Sequence, residues 1–218
     1  MIRRDYIMRL ITEMTQVLLR VVSLRHRQDY ELALKEIDDA LRRLRHDESS
    51  PPAELEEWLA LCAKHEQAAS GLLVAVGELI REQGEIFLLQ ARNEEARRAH
   101  TLALGLLVEA ILSGQTFVTE ELLERVERLA TRLEAGPRPP QLLSRLASYY
   151  EARGRFAKAE DVIFEWVESG ASAARTFGLA FYDRIERQPD AELERGGLPR
   201  PEIQSGRTQL QQRGEALG

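Results

Sequence analysis

The sequence is poor in the residues from which strands and membrane spans are built. Aromatic residues make up 6% of the 218 residues, and β-branched residues are few beside Leu, Ala, Glu and Arg. Because this composition favours helices and disfavours strands, we predict an all-α fold. Apolar runs such as GLLVAV at 71–76 are far short of the ~20 residues that a membrane span needs, so no membrane association is expected.

The sequence also has little cysteine and no net positive charge. Cys62 is the single cysteine, which excludes an intramolecular disulfide, favours a cytoplasmic location and predicts a small buried side chain. The 30 Lys and Arg stand against 36 Asp and Glu, which gives a formal net charge of −6. Because such a chain is not drawn to phosphate backbones, nucleic-acid binding is not expected.

Motifs of catalysis and metal binding are missing as well. The 4 histidines fall in no zinc-protease pattern. The sequence contains no Gly-rich phosphate loop and no nucleophile elbow. His100 shares a core-facing column with Ile37 and Ile163, so a hydrogen-bonded structural histidine is the favoured interpretation. We therefore predict no enzymatic activity, no cofactor and no metal site.

Clusters of glycine and proline divide the chain into helices. Glycine after an amphipathic run, followed by proline, is how helices end, and these breaks predict about nine helices. Three of them lie at roughly 53–69, 117–135 and 171–187. Residues 188–218 are rich in Gly, Pro and Gln, so we predict a single helical domain over 1–187 and a flexible tail over 188–218. A segment lying in a groove of its own or a neighbouring chain is the alternative for that tail.

One pattern recurs along the chain at a long interval. Three segments align at Ala33, Ala96 and Ala159, and both gaps are 63 residues. A second column precedes each alanine by 12 positions: Val21, Gly84 and Ala147. Antiparallel helices approach closely only where side chains are small. These columns therefore predict three helix-turn-helix hairpins.

The columns resemble the tetratricopeptide repeat, a helix-turn-helix unit with a small residue and an aromatic on its first helix and alanines on its second. The third hairpin carries the pattern most fully, with Ala147, Tyr150 and Ala159, whereas Val21 and Leu24 depart from it in the first. The period here is 63 residues, longer than the ~34 residues of that repeat, and the additional length corresponds to about one extra helix in each unit. The resemblance implies a right-handed helical-repeat stack of three three-helix units.

The amino-terminal half carries a second likeness. The opening MIRRDYIMRLI, the DYELAL segment at 29–34 and the GEIFLLQARNEEARRAHTLALGLLVEA segment at 84–110 are similar to an uncharacterised bacterial family of tetratricopeptide-like proteins. Members of that family begin Met-Ile-Arg-x-Asp-Tyr-Ile-Met-Arg, and the likeness covers roughly residues 1–112. Since the family has no assigned activity, the resemblance concerns the fold and leaves the function open.

The tetratricopeptide resemblance also implies a binding groove. In such arrays the first helices of successive units line a concave surface that holds an extended peptide or a partner helix. The matching positions in this chain are Arg81, Glu85, Leu88, Ser144, Ser148 and Glu151. We therefore expect a scaffold that binds a protein or peptide. The Asn and Lys clamp that some such repeats use on a terminal carboxylate is absent from these columns, so that type of clamp is not predicted.

Self-association is the alternative function. Helix one has a wide apolar stripe, which fits either a helix packed between two others of its own chain or a homodimer seam. The seam residues are Ile7, Met14, Val17 and Val21, and a second apolar row beside them holds Ile11, Leu18 and Val22. A dimer through the carboxy-terminal segment would use Phe177, Phe181 and Ile185, or an exchange of tails.

Overall fold

The computed structural model describes residues 2–45, 54–65, 68–114 and 118–215. Within these ranges the chain is helical and contains no strand, which confirms the all-α prediction. The helices are α1 Ile2–His26, α2 Tyr30–Arg45, α3 Leu55–Ala63, α4 Ala69–Leu89, α5 Asn93–Leu112, α6 Glu120–Leu133, α7 Pro140–Ala152, α8 Phe156–Glu168, α9 Ser172–Ile185, α10 Asp190–Arg195 and α11 Arg200–Glu215. The sequence predicted about nine, and the two additional helices, α10 and α11, follow residue 187.

Three helix pairs are joined by the same turn. Three residues separate α1 from α2, α4 from α5 and α7 from α8, and the middle residue has a positive φ. This angle is 63° at Gln28, 59° at Ala91 and 67° at Gly154. The N–H of the next residue donates to the C=O five positions earlier: Asp29 to Leu24 at 3.0 Å, Arg92 to Phe87 at 2.8 Å and Arg155 to Tyr150 at 2.8 Å. A left-handed residue closed by such a bond is a common helix ending, and here it recurs every 63 residues.

The alanines that recur on the second helix of each pair are buried. Ala33, Ala96 and Ala159 are 0% exposed. In the α4–α5 pair, a Cβ added at Gly84 would overlap the His100 imidazole, so the absence of a side chain there is what allows the close approach. The burial of these alanines agrees with the alignment of the three sequence segments.

The chain divides into two compact units, residues 1–137 and 138–218. In the first unit α1 and α2 pack on α4, α3 packs on α4 and α5, and α6 packs on α5. The helix predicted at 53–69 is shorter in the structure, where α3 spans Leu55–Ala63. Its Trp58 and Cys62 side chains are buried. Residues 1–187 were predicted to form one domain, and this range includes all of the first unit and part of the second. Whether they form one domain stays a prediction.

In the second unit α8 packs on α7 and α9, and α9 packs on α11. Two glycines permit the last contacts. A Cβ at Gly178 would lie 2.6 Å from Leu210 Cδ2, and one at Gly206 would overlap Glu160 and Tyr182. The apolar side chains buried from this end of the chain are Leu193, Leu198, Ile203 and Leu210. The segment for which a flexible tail was predicted therefore contains packed helices, and its mobility in solution stays a prediction.

Candidate functional site

Helix α4 brings three carboxylates to one side of the first unit. Glu78, Glu82 and Glu85 follow one another at intervals of four and three residues, which places them on one helical face. Glu78 is 5% exposed and Glu82 is 2% exposed. Because a buried charge is costly without a partner, both need compensating groups nearby.

Arginines from α1, α4 and α6 surround Glu78 and Glu82. Arg81 Nε donates to Glu78 Oε2 at 3.0 Å, and its Nη2 donates to Glu82 Oε1 at 2.6 Å. Arg25 Nε lies 3.3 Å from Glu82 Oε2, and Arg125 Nη1 lies 3.4 Å from Glu78 Oε1. Desolvation lowers the pKa of Arg81, but the two carboxylates outweigh it and the net shift is upward. The result is a largely buried ionic network across three helices.

Glu85 belongs to a second cluster one turn further along α4. Its Oε1 lies 3.4 Å from His100 Nε2 and 2.5 Å from Arg132 Nη1. The hydrogen bond with His100 lowers the pKa of Glu85 to about 2; burial opposes this shift and Arg132 adds to it. His100 is 1% exposed, which confirms its predicted place in the core.

The predicted groove residues of the first unit are thus engaged within the chain. Arg81 and Glu85 belong to the two ionic clusters of α4, while Leu88 is 37% exposed. The partners of Arg81 are Glu78 and Glu82 on the same helix. Arg132, the partner of Glu85, lies 47 residues later, so no local pattern indicated it.

In the second unit Ser144, Ser148 and Glu151 share one face of α7 and are half-buried. The Ser144 hydroxyl donates to the Gln141 carbonyl at 3.0 Å, and the Ser148 hydroxyl donates to the Ser144 carbonyl at 3.0 Å. Glu151 accepts two hydrogen bonds from Arg184, at 2.6 and 2.7 Å. This face is therefore mostly satisfied by its own chain.

A cleft of about 300 Å³ opens beside Glu78, between α1, α4 and α6. Its wall is chiefly apolar, and its polar members are Thr15, Glu78, Thr119 and Arg125. The apolar lining comprises Ile11, Met14, Leu18, Val74, Ala75 and Leu122. Sequence reasoning missed this cleft, since three helices distant in sequence form it. The one available signal was the second apolar row on helix one, to which Ile11 and Leu18 belong.

Glu78 is the least satisfied group of the cleft. Its Oε2 accepts from Arg81, but its Oε1 is buried and accepts no hydrogen bond. Arg125 lies 3.4 Å from that oxygen, while its own Nε donates to the Glu121 carbonyl at 3.2 Å. Because Oε1 is shielded from solvent, a ligand in the cleft could not reach it without a movement of its neighbours, and the Arg125 guanidinium compensates its charge.

Three of the residues predicted to form a dimer seam on helix one are buried within the first unit. Met14 and Val17 are 2% exposed and Val21 is 0% exposed, whereas the side chain of Ile7 lies outside the described residues. The structure therefore favours a helix packed inside its own chain for this row. At the carboxy-terminal seam, Phe181 and Ile185 are buried and Phe177 is half-buried. Homodimer formation stays a prediction.

Reactive groups are few in the part of the chain that the structure describes. No group of three or more His, Cys, Asp or Glu side chains there could hold a metal ion. Burial raises the pKa of Cys62 to about 12, so this thiol stays protonated and is a poor nucleophile.

None of the described helices combines the length and the apolar character needed to cross a membrane.

Comparisons with known proteins identify one relationship. The profile of a family of unknown function, DUF6483, matches residues 1–215. No curated protein and no solved structure matches the sequence. Because the match extends over nearly the full length of the chain, the protein belongs to the DUF6483 family.

Proposed function

We propose that the protein is a non-enzymatic scaffold of tetratricopeptide-like hairpins that binds a peptide segment of another protein. The observation that carries this proposal is the cleft of about 300 Å³ between α1, α4 and α6. Its volume is at the lower end of the roughly 300–1,000 Å³ typical of ligand pockets. It suits one or two side chains of an extended partner.

The recurring turns support the repeat assignment. Residues with positive φ, Gln28, Ala91 and Gly154, follow the first helix of each of the three proposed groups, α1–α3, α4–α6 and α7–α9. In repeat arrays the first helices of consecutive units line the binding surface. Here α1 and α4 are the first helices of the first two groups, and both line the cleft.

The ionic network on α4 supports a structural role for its charges. Glu78 and Glu82 lie against Arg25, Arg81 and Arg125, so their charges are compensated. Removing one member of a buried pair is strongly destabilising, which ties α1 and α6 to α4. The network thereby fixes the walls of the cleft.

The proposal is tested by selecting binders to the full chain from a displayed library of random 12-residue peptides. We expect enriched peptides whose synthetic versions bind saturably with one site per chain, measured by fluorescence anisotropy and calorimetry. Absence of any saturable binder after repeated selection would contradict the proposed function.

Self-association is a second candidate, favoured by exposed apolar side chains on α1. Met8 is 53% exposed and Leu19 is 68% exposed. If α1 forms a symmetric contact, light scattering should give twice the 24.8 kDa chain mass, and Leu19→Arg should return it to the chain mass. A monomer of the unmodified chain at high concentration would exclude this candidate.

A further inference from the structure

We infer that the groove between α8 and α9, in which α11 lies, is an interaction surface for a basic amphipathic helix of a partner protein. In the absence of that partner, α11 of the same chain occupies the groove. The inference goes beyond the proposed function, because this groove belongs to the unit 138–218 and the cleft to the unit 1–137.

The floor of the groove fits a helix that carries a small residue. A Cβ at Gly178 on α9 would lie 2.6 Å from Leu210 Cδ2, so Leu210 of α11 lies directly over α9. A Cβ at Gly206 would overlap Glu160 and Tyr182, whose side chains are joined by a hydrogen bond from the Tyr182 hydroxyl to Glu160 Oε1 at 2.5 Å. The groove therefore selects a helix with a small residue and a leucine four positions later.

Helix α11 is anchored by few apolar side chains. Among its described side chains, Ile203 and Leu210 are the buried ones, and the others are polar apart from the exposed Pro201. Because burial of apolar surface is the main source of stability, α11 should separate from the groove more readily than α8 separates from α7. The buried residues of α8 are Phe156, Ala159, Val162, Ile163, Trp166 and Val167.

The edges of the groove are acidic, and the face of α11 that meets them is basic. Arg207 pairs with Asp183 and Glu186, and Arg213 pairs with Glu168. These pairs are partly or largely exposed to solvent, so each contributes little to stability and is weakened by salt. They favour an arginine-bearing helix over an acidic one without fixing α11 in place.

The connection before α11 provides a fixed base from which the helix can separate. The Ala157 N–H donates to the Gly196 carbonyl at 3.0 Å, and Leu198 is 1% exposed. Arg200 Nη1 donates to the Glu186 carbonyl at 3.1 Å. Since the chain is held in place up to Arg200, the rest of α11 can leave the groove while α10 stays packed.

The first test uses a full-length variant in which α11 no longer fits. Gly206→Leu should expel α11 because the new side chain overlaps Tyr182, while every residue of the groove itself is unchanged. Ser205→Leu, one residue earlier and exposed, is the matched control and should leave α11 in place. A fluorescent synthetic peptide of residues 199–213 should bind Gly206→Leu saturably, with one site per chain, in fluorescence anisotropy. It should bind the unmodified chain and Ser205→Leu at least tenfold more weakly.

Variants of the peptide test the chemistry of the partner helix. A peptide carrying Gly206→Leu, or one carrying both Arg207→Glu and Arg213→Glu, should bind the Gly206→Leu chain with a Kd at least tenfold higher. Circular dichroism verifies that the chain is folded. Absence of saturable binding to the folded Gly206→Leu chain, or equal binding of the charge-reversed peptide, would overturn the inference.

A measurement on the unmodified chain decides the case in which Gly206→Leu does not fold. In hydrogen–deuterium exchange the amides of α11 should exchange faster than those of α8, and salt should increase the difference. Equal protection of α11 and α8 would overturn the inference, because α11 would not separate on its own. A concentration-dependent dimer of the unmodified chain that the peptide dissociates would overturn the assignment to another protein and identify α11 of a second copy as the occupant.

Discussion

The α4–α5 and α7–α8 hairpins share one turn but have different interiors. Between α7 and α8 the contact is apolar, with Ala147, Ala159 and Ile163 at 0–1% exposure. In α4–α5 the positions 63 residues earlier than Ala147 and Ile163 hold Gly84 and His100. The same backbone hairpin therefore accommodates either an apolar or a polar contact.

The comparison shows what a polar interior requires. The imidazole of His100 occupies space that a Cβ on α4 would take, so glycine is needed opposite it. The ring also needs polar neighbours, which Glu85 and Arg132 provide. A glycine, a histidine and a carboxylate thus act together, and changing one alone should be costly.

The largest expected effect comes from Gly84→Ala. Although alanine is the better helix former, the added Cβ overlaps His100, and overpacking typically costs about 1–3 kcal/mol. We expect the free energy of unfolding, measured by urea titration, to decrease by an amount in that range. In the apolar hairpin, the reverse change Ala147→Gly creates no overlap and should cost about 0.5–1 kcal/mol through the lower helix propensity of glycine, which sets the comparison.

A double variant sharpens this result. Gly84→Ala combined with His100→Ala should be more stable than the sum of the two single changes predicts, because the overlap exists only when both groups are present. Additive losses would show that Gly84 and His100 are not in contact.

The next effect concerns the turns. Ala91 and Gly154 are equivalent residues with φ of 59° and 67°. Because a left-handed conformation costs a residue with a Cβ about 1–2 kcal/mol, Ala91→Gly should raise the free energy of unfolding by about 1 kcal/mol. Gly154→Ala should lower it by a similar amount. If both substitutions moved stability in the same direction, the two turns would not be equivalent.

The last prediction concerns pH dependence and is confined to acid conditions. The pKa of Glu85 is about 2 in the folded chain and near 4.5 in the unfolded one. Its contribution to stability is therefore complete above pH 4.5 and lost as the pH falls toward 2. Glu85→Gln should flatten stability against pH in that window, measured by thermal unfolding. Ser148 is the equivalent residue of the other hairpin, and Ser148→Ala should leave the acid limb unchanged.

The hairpins could be predicted from the sequence because their signals are local. A small residue on each helix and a short connection specify a close antiparallel pair, and the column Ala33, Ala96 and Ala159 is buried as expected. The left-handed turn residue was evident at Gly154 only, since Gln28 and Ala91 adopt the same conformation without glycine.

The cleft and the carboxy-terminal helices could not be predicted in the same way. Residues from α1, α4 and α6 form the cleft, and no short-range pattern links Leu18 to Leu122. Glycines near the end of the chain suggested flexibility, yet Gly206 lies within α11 against Tyr182, where it permits close packing. Glycine serves both purposes, and composition does not separate them.

The most direct test of the account is hydrogen–deuterium exchange of the full chain with and without the tightest selected peptide. Binding in the cleft should slow amide exchange in the parts of α1, α4 and α6 around Leu18, Val74 and Leu122. Exchange in residues 138–218 should be unaffected. Slowing confined to residues 138–218, or no slowing at saturating peptide, would contradict binding between α1, α4 and α6.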